Sequence, residues 1–445
     1  MLLFLAGTSN ELTPLARNTQ FGVRETAHRD TASGHTKAAI PDIEWPEACR
    51  CFAGGFTTMI ETHLPAPEKL QMDAIQELVR SHGPCLTLLA PPYRPGEQAK
   101  SMSVLIKSKL KEAAQQLVAG KISASMRADL LDPLELLAED PESRKGSHWG
   151  RVLFRAPGVF RSFQLIEPTS VSLTVGGYFH IRPILAGLHL PAEFYVLQLS
   201  KKRFDLLRCA GLKTEPVKLN GVPETLEEAM AFKPPDHDLE NRSSAGSSTG
   251  AMRGVRFGTG SGRETEHTHL ADFYKLVDRG LHAVSKAAAA AVVLAGVDQD
   301  TALYRSVSRY PNLLEQTIRG GPDGALPEHE ILRRAYTVVR LHCIQRQVKA
   351  LAEAKERLAP ARFASGLNAI LRDAVQGRVT SLYIDETART SGVLEAIKRG
   401  ERWTWGEEDL LNAAAVETIL QRGEVFELPA GSLPDGALAT AILRY

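Results

Sequence analysis

Apolar positions along this chain recur in two rhythms, one helical and one strand-like, and they sort it into three consecutive blocks. Over residues 104–118 apolar side chains return every three or four positions, with Lys107, Lys109 and Lys111 between them, which predicts an amphipathic helix. Ahead of it, Leu70, Ile75, Leu78 and Val79 keep the same spacing. That helix is expected to open near Leu64-Pro65-Ala66-Pro67. Proline in a first turn gives up an amide that has no partner there, and Glu68 suits the helix dipole. Residues 85–90 form a short apolar run stopped by Pro91-Pro92 and read as a buried strand. Residues 151–154 and 171–175 read as further strands bounded by Gly or Pro.

The second block opens with two β-rich runs, 194–199 and 204–208, four residues apart, which is a hairpin signal. Residues 226–230 predict a short helix. Residues 234–262 are rich in Pro, Ser and Gly and poor in aliphatics; a stretch of that length is a functional loop or a disordered linker. Leu270, Phe273, Leu276 and Val277 then mark one face of a helix over 269–281, and 291–296 read as a buried strand ending at Gly296. The third block follows Gly320-Gly321-Pro322-Asp323-Gly324. It predicts helices over 327–358, 362–375 and 407–420 and strands over 379–384, 425–428 and 437–443. Mixed order of this kind indicates an α/β protein rather than a bundle. The expected organisation is a flexible tail over 1–60 and three consecutive α/β domains over 61–190, 191–324 and 325–445, the second carrying a Gly/Arg-rich loop at 234–265.

Composition narrows this picture. The 445 residues hold 53 Lys+Arg against 52 Asp+Glu, a formal net charge of +1, which excludes a uniformly basic nucleic-acid wrapper and leaves room for local patches. Cys49, Cys51, Cys85, Cys209 and Cys343 are odd in number and never spaced as Cys-x-x-Cys, so neither a disulfide framework nor a zinc ribbon is supported and a reducing cytoplasm fits best. The apolar start at residues 1–6 is too short for a signal-peptide core. The run 287–296 is about half of what a bilayer needs, so no membrane span is expected. Residues 10–59 are polar and without period, too poor in aliphatics to offset the entropy of ordering them.

Three features carry candidate chemistry on their own. Arg333, Arg334, Arg340, Arg346, Lys349, Lys355 and Arg357 decorate the long third-block helix, with glutamates only at Glu353 and Glu356 in its second half; this is a phosphate-contacting face or a solvated face with i,i+4 pairs. His267 and His269 would share one side of a strand but not of a helix, and helix is the expectation, so no metal is assigned. Trp403-Thr404-Trp405 is either core or a docking site.

Four stretches in the second and third blocks carry a resemblance. They are Phe194-Tyr195-Val196-Leu197-Gln198-Leu199-Ser200-Lys201-Lys202-Arg203-Phe204-Asp205-Leu206-Leu207, Leu270-Ala271-Asp272-Phe273-Tyr274-Lys275-Leu276-Val277-Asp278, Val293-Leu294-Ala295-Gly296-Val297, and Ala374-Val375-Gln376-Gly377-Arg378-Val379-Thr380-Ser381-Leu382. In this order and spacing the chain, over about residues 61–445, resembles the bacterial archaeo-eukaryotic release factor families, relatives of archaeal and eukaryotic class I release factors and of Pelota. The resemblance implies an N-terminal release-factor-like domain, an RNase H-like middle domain and a C-terminal domain like the ribosomal proteins that bind kink-turn RNA. It implies the ribosome as partner, met at the A site in place of tRNA, with a translational GTPase as a further partner and no cofactor.

Release factors of this kind carry Gly-Gly-Gln at the tip of a middle-domain loop, where glycine lets the backbone approach an ester and a backbone N–H stabilises the oxyanion. The corresponding stretch here holds Arg253, Arg256, Gly258, Gly260, Gly262 and Arg263 and no Gln, and Gly-Gly-Gln occurs nowhere in the chain. The loop therefore reads as a diverged hydrolytic tip, a non-catalytic probe of ribosomal RNA, or a surface loop, and no catalytic residue is assigned. Leu105-Ile106-Lys107-Ser108 lies where the family's Asn-Ile-Lys-Ser would be, with Leu105 in place of Asn, so stop-codon decoding is not expected. Asp205, Asp272 and Asp278 could be set beside the metal-holding carboxylates of RNase H nucleases, but fold does not carry function across, and capping explains them. The expected function is a release-factor-like, ribosome-associated protein of rescue, hibernation or surveillance without termination catalysis. The alternatives are a peptidyl-tRNA hydrolase with a reworked loop and an interaction protein outside translation.

Overall fold

A computed structural model describes residues 64–445 other than 82, 94–96, 140–147, 167–169, 233–260, 285–289, 325 and 393–407, and gives the backbone alone at 97, 99, 232 and 261–265. The expected tail, with Cys49 and Cys51, and Trp403-Thr404-Trp405 lie outside the described residues. Within them the chain is α/β, built on three main sheets.

The first sheet is antiparallel. Its strands β1 (Cys85–Ala90), β2 (Gly150–Ala156), β3 (Val159–Leu165) and β4 (Ser172–Gly176) lie in the order β3-β2-β1-β4. Alternation sends Leu86, Leu88 and Leu153 to one face, where they meet α2 (Glu97–Ala119) and α3 (Ala124–Glu139) through Met102, Ile106, Leu110, Leu117, Leu130 and Leu134. Cys85, Leu89, Val152 and Phe154 go to the other face. Helix α3 escaped the sequence reading because Pro133 sits inside it. Proline removes the donor that the Asp129 carbonyl needs. Arg155 supplies it, with Nε and Nη2 donating to Asp129 O at 3.2 and 3.0 Å. The first helix corrects the expected opening at Pro67: α1 runs Met72–Leu78. Glu68 is held extended instead, its N–H donating to Ser162 O at 2.8 Å while its carboxylate accepts from Arg161 Nε at 2.9 Å.

The central sheet, β5 (Glu193–Leu199), β6 (Phe204–Ala210), β7 (Lys213–Val217), β8 (Val292–Ala295) and β9 (Leu313–Ile318), has the order β7-β6-β5-β8-β9. β5, β6 and β7 form an antiparallel meander, and β5, β8 and β9 run parallel. Parallel neighbours need crossovers, and helices provide them. Between β7 and β8 come α5 (Leu226–Phe232) and α6 (Ser261–Val284); between β8 and β9 comes α7 (Asp298–Val307). Helix α6 packs Leu270, Phe273, Tyr274, Val277 and Leu281 on one sheet face. Ile331, Leu332, Ala335, Tyr336 and Val339 of α8 (Glu328–Arg357) cover the other.

The third sheet, β10 (Phe363–Ser365), β11 (Val379–Asp385), β14 (Glu424–Leu428) and β15 (Ala439–Leu443), has the order β10-β15-β11-β14, with β11 and β14 parallel. The 30-residue α8 continues onto it through Leu351, beside Tyr383, Phe426 and Leu428. The expected helix 362–375 is corrected here. Residues 363–365 pair with β15, and Gly366, at φ 93°, turns the chain before α9 (Leu367–Val375) can start. The helix expected from 407 begins at Leu410: Glu408–Asp409 (β13) pairs with Ser391–Gly392 (β12), and Asp409 caps α10 (Leu410–Leu420) by accepting from Leu411 N at 3.1 Å.

Helix α10 is apolar nearly all round, and every residue from Leu411 to Ile419 is buried. Such a helix needs cover on all sides. The third sheet covers one side, and the stretch after β4 in the first sheet covers the other. Gly177 N donates to Glu408 at 2.8 Å, Tyr178 OH to Glu417 at 3.2 Å and Ile181 N to Asn412 Oδ1 at 3.0 Å, while Asn412 Nδ2 donates back to Phe179 O at 2.9 Å. Arg182, at the start of α4 (Arg182–Leu188), is only 2% exposed. Its guanidinium donates to Glu427 Oε1 at 2.7 Å, Ala388 O at 2.7 Å and Asp385 O at 3.0 Å, with Asp409 at 3.4 Å. Burial pushes the Glu427 carboxyl upward and Arg182 opposes that shift. No helix among the described residues is long and apolar enough to cross a membrane.

Two predictions test this junction. Arg182→Ala strands Glu427 and three acceptors, and urea unfolding is expected to show a loss of about 3–5 kcal/mol, partly recovered by adding Glu427→Gln. His180, whose N–H donates to Thr87 Oγ1 at 2.9 Å, is held down to about 4 by burial, Arg182 and Arg389, with Asp409 opposing. The unfolded chain takes up that proton near its ordinary value of about 6.5 while the folded one does not, so stability is expected to fall between about pH 6.5 and 4. His180→Gln should flatten that slope in pH-dependent melting.

Candidate functional site

The parallel strands β5, β8 and β9 end together, and the loops beyond them form the site end of the central sheet. Gly296 and Gly321 lie so close to the Leu199 carbonyl that a Cβ at either would stand 2.9 or 2.8 Å from it. This is why the strand-plus-Gly at Gly296 and the Gly320–Gly324 turn need glycine. Arg203 ties the β5–β6 turn to the latter, donating to Pro322 O at 2.6 Å and pairing with Asp323 at 3.2 Å. Lys201 and Lys202 are exposed beside it. Asp300, in the first turn of α7, is 3% exposed; its Oδ1 has no hydrogen-bond partner, and burial raises its carboxyl against the pull of Lys201.

Helix α6 is anchored at this end and leaves it as a mast. Tyr274 OH donates to Ser200 O at 3.3 Å. One helical turn further on, Asp278 accepts from Tyr304 OH at 3.0 Å, Ser308 Oγ at 2.6 Å and Arg309 N at 3.0 Å, with His282 at 3.6 Å. Burial raises both tyrosine hydroxyls, and the Asp278 charge adds to that for Tyr304. From Tyr274 back to Ser261 the helix rises about 20 Å at 1.5 Å per residue. It therefore starts well beyond the strand ends, where the loop at 234–265 enters it. Arg253, Arg256, Gly258 and Gly260 lie outside the described residues; Gly262 and Arg263 fall in the first turn of α6, where the backbone alone is described.

The other sequence-derived residues are placed as follows. On α2 the inward stripe Met102, Ile106, Leu110 and Leu117 leaves Lys107 and Lys111 exposed on the opposite face, and Lys109 pairs with Glu112 at 2.8 Å. Val104, Leu105 and Val118 are exposed on the same helix, at 69%, 44% and 55%. On α8, Arg333 and Arg334 both reach Glu330 at 2.9 Å, three and four residues away. The Arg334 hydrogen bond holds the Glu330 carboxyl low, with Arg333 adding to it. The expected scarcity of glutamate on this helix misses Glu330, because it sits in the first turn. Arg340 is not on an open face: it pairs with Glu386 at 3.0 Å, between α8 and the third sheet. Lys107, Lys109 and Lys111 thus share one helix, while Arg333 and Arg334, both part-exposed, share Glu330 on α8 and Arg340 pairs with Glu386.

The carboxylates set beside nuclease ligands do not converge. Asp278 is consumed by three donors, Asp272 pairs with Lys275 at 2.9 Å, and Asp205 lies 3.5 Å from Arg203. His267 and His269 do lie on a helix. Among the described residues no three His, Cys, Asp or Glu side chains are placed to hold a metal ion. Sequence reasoning missed Arg182 and read Asp278 as a capping residue, whereas it lies inside α6 and accepts from Tyr304, Ser308 and Arg309. The only signal for Arg182 was an arginine inside the otherwise apolar run 178–188.

Residues 193–378 match the family model described as Bacterial archaeo-eukaryotic release factor family 3, which bears out the resemblance read from the sequence. No curated protein matches. Among solved structures the chain is similar to an archaeal translation termination factor, aRF1, at 14% identity over 84% of this chain and 99% of that one, with a TM-score of 0.22. It is similar to Archaeoglobus fulgidus Pelota at 12% identity over 68% and 80%, TM-score 0.33. It is similar to archaeal Pelota, bound to the ribosome with ABCE1, at 12% identity over 85% and 95%, TM-score 0.30.

The Asp278 hub can be tested directly. Asp278→Ala leaves Tyr304, Ser308 and the Arg309 amide without their acceptor, at a cost of about 2–4 kcal/mol. Hydrogen exchange should then show amides near residues 275–284 opening faster than those of α8.

Proposed function

We propose that this chain is a release-factor-like protein that associates with the ribosome in the cytoplasm and acts in rescue, hibernation or surveillance, without termination catalysis. The observation that carries this is the family match over residues 193–378, which takes in the central sheet, α6 and the loop leading into it. In that loop the glycines Gly258, Gly260 and Gly262 stand with Arg253, Arg256 and Arg263, and the Gln of the hydrolytic tripeptide is missing. An anchored mast that carries a Gly/Arg-rich loop suits a probe of RNA phosphates, because a planar guanidinium beside glycine binds two oxygens without crowding. The exposed Lys107 and Lys111 on α2 offer a second cationic surface. We infer three parts: an N-terminal release-factor-like domain, an RNase H-like middle domain and a C-terminal domain like kink-turn-binding ribosomal proteins. A translational GTPase would be a further partner.

Sucrose-gradient sedimentation of cell lysate should place the protein with ribosomes at low salt and release it at higher salt, since phosphate contacts are salt-dependent. Lys107→Gln/Lys111→Gln should lower the ribosome-bound fraction while changing stability by less than about 0.5 kcal/mol. A protein that stays at the top of the gradient at every salt concentration, including after starvation, would sink the proposal. In a peptidyl-tRNA release assay no activity is expected. Release that is abolished by Gly260→Ala would establish the hydrolase instead.

A further inference from the structure

One end of the third sheet gathers arginines from five separate stretches of chain. Val379 of β11 pairs with Leu443 of β15, so the start of β11, the start of β14, the end of β15 and the C-termini of α9 and α10 all meet there. Arg362 donates through Nε and Nη2 to Leu443 O at 2.9 and 2.7 Å and to Arg444 O at 2.8 Å. Arg444 donates through Nη2 to Gln421 O at 2.7 Å, and its main-chain N–H donates to Arg378 O at 2.7 Å. Arg378 pairs with Asp373 at 3.0 Å, a carboxylate that Arg372 also approaches at 3.9 Å. Arg422 follows α10 in the left-handed region, at φ 60°, with its side chain exposed. At the outer edge the Arg378 guanidinium lies 5.6 Å from the ring centroid of Tyr445, which is 69% exposed.

Several of these guanidiniums are oriented without being neutralised. A carbonyl oxygen fixes Arg362 and Arg444 in place but carries no net charge, so their cationic field persists. Asp373, 3% exposed and shared, and Glu424 at the start of β14 are acidic groups at the same end. Cations at helix C-termini are favoured by the dipole, and this explains part of the grouping. It does not explain Arg422. Glycine is the residue that fits this left-handed position after a helix, and arginine occupies it under strain. Nor does it explain an exposed aromatic ring beside a guanidinium.

We propose that this end of the third sheet is an RNA-contacting surface, in which Arg372, Arg378, Arg422 and Arg444 meet backbone phosphates and Tyr445 offers a ring face for an unstacked base. Arginine forks match phosphate oxygens in pairs, and the ring distinguishes an RNA strand from an acidic peptide as the occupant. The surface lies at the opposite end of β11 from Asp385 and the Arg182 junction, and it shares no residue with α2 or the loop at 234–265.

The test uses the purified full chain and a fluorescein-labelled RNA hairpin with a single-stranded loop, read by anisotropy over a salt series. Arg372→Gln/Arg422→Gly is expected to raise the Kd about tenfold and to reduce the salt slope by about two counterions. Glycine suits the Arg422 backbone, so the thermal midpoint should hold or rise, which separates lost binding from lost fold. Tyr445→Ala should weaken binding about fivefold or more with little change in slope. An unchanged Kd and slope in the arginine double variant would overturn the proposal. So would displacement of the RNA by poly-L-glutamate at equal charge concentration, which would assign the surface to an acidic protein. Because the probe is naked RNA, the outcome is independent of whether the protein sediments with ribosomes.

Discussion

A helix that is apolar on every side has to be enclosed, and α10 is enclosed by two sheets that lie far apart in sequence, one ending at Gly176 and the other beginning at Phe363. The rest of the arrangement answers to that requirement. Residues 177–189 leave the edge of the first sheet and run along α10 and β14, exchanging backbone and side-chain hydrogen bonds with Asn412, Glu408, Glu417 and the Val425 carbonyl. Arg182 closes the junction. A guanidinium that deep is tolerable because two carboxylates and several carbonyls take its donors, and the buried ones among those acceptors would otherwise be stranded in a low dielectric.

The central sheet is organised around a different need. Its three parallel strands end where loops must pass close to one another, so glycine at 296 and 321 lets the backbone approach the Leu199 carbonyl. The Asp278 hub then fixes α6 at its foot while its far end stays clear of the sheet. Three donors to Asp278 hold the buried foot of α6, and the exposed Lys107 and Lys111 lie on a separate part of the fold, on α2.

Much of this was legible in the sequence where one periodicity ruled. The β5–β6 hairpin, α8, β1 and β11 fall within a few residues of their expected bounds, because their burial pattern is local. What was hidden depended on partners far along the chain. Helix α3 contains a proline whose orphaned carbonyl is rescued by Arg155, from a strand that follows it. Residues 363–365 read as helix but pair with β15, nearly eighty positions later. The basic residues of α8 read as a phosphate-contacting face or a solvated face with i,i+4 pairs, and the structure shows Glu330 paired with Arg333 and Arg334, while the Arg340–Glu386 pair, across to the third sheet, had no local signal. The arginines at 362, 372, 378, 422 and 444 carried no spacing signal at all, since only the sheet brings them together. The likeness to the family model matched by residues 193–378 was visible as an order of short motifs rather than as any one of them.

Helix α8 binds the central sheet with its first half and the third sheet with its second, without a break from Glu328 to Arg357. Two bodies joined by a flexible tether can swivel independently, whereas two bodies fixed to one beam share its bending. Any reorientation of the central sheet would have to unwind a helical turn near Arg340 or flex about 45 Å of helix. A displacement of the central sheet is therefore conveyed through α8 to the third sheet as leverage.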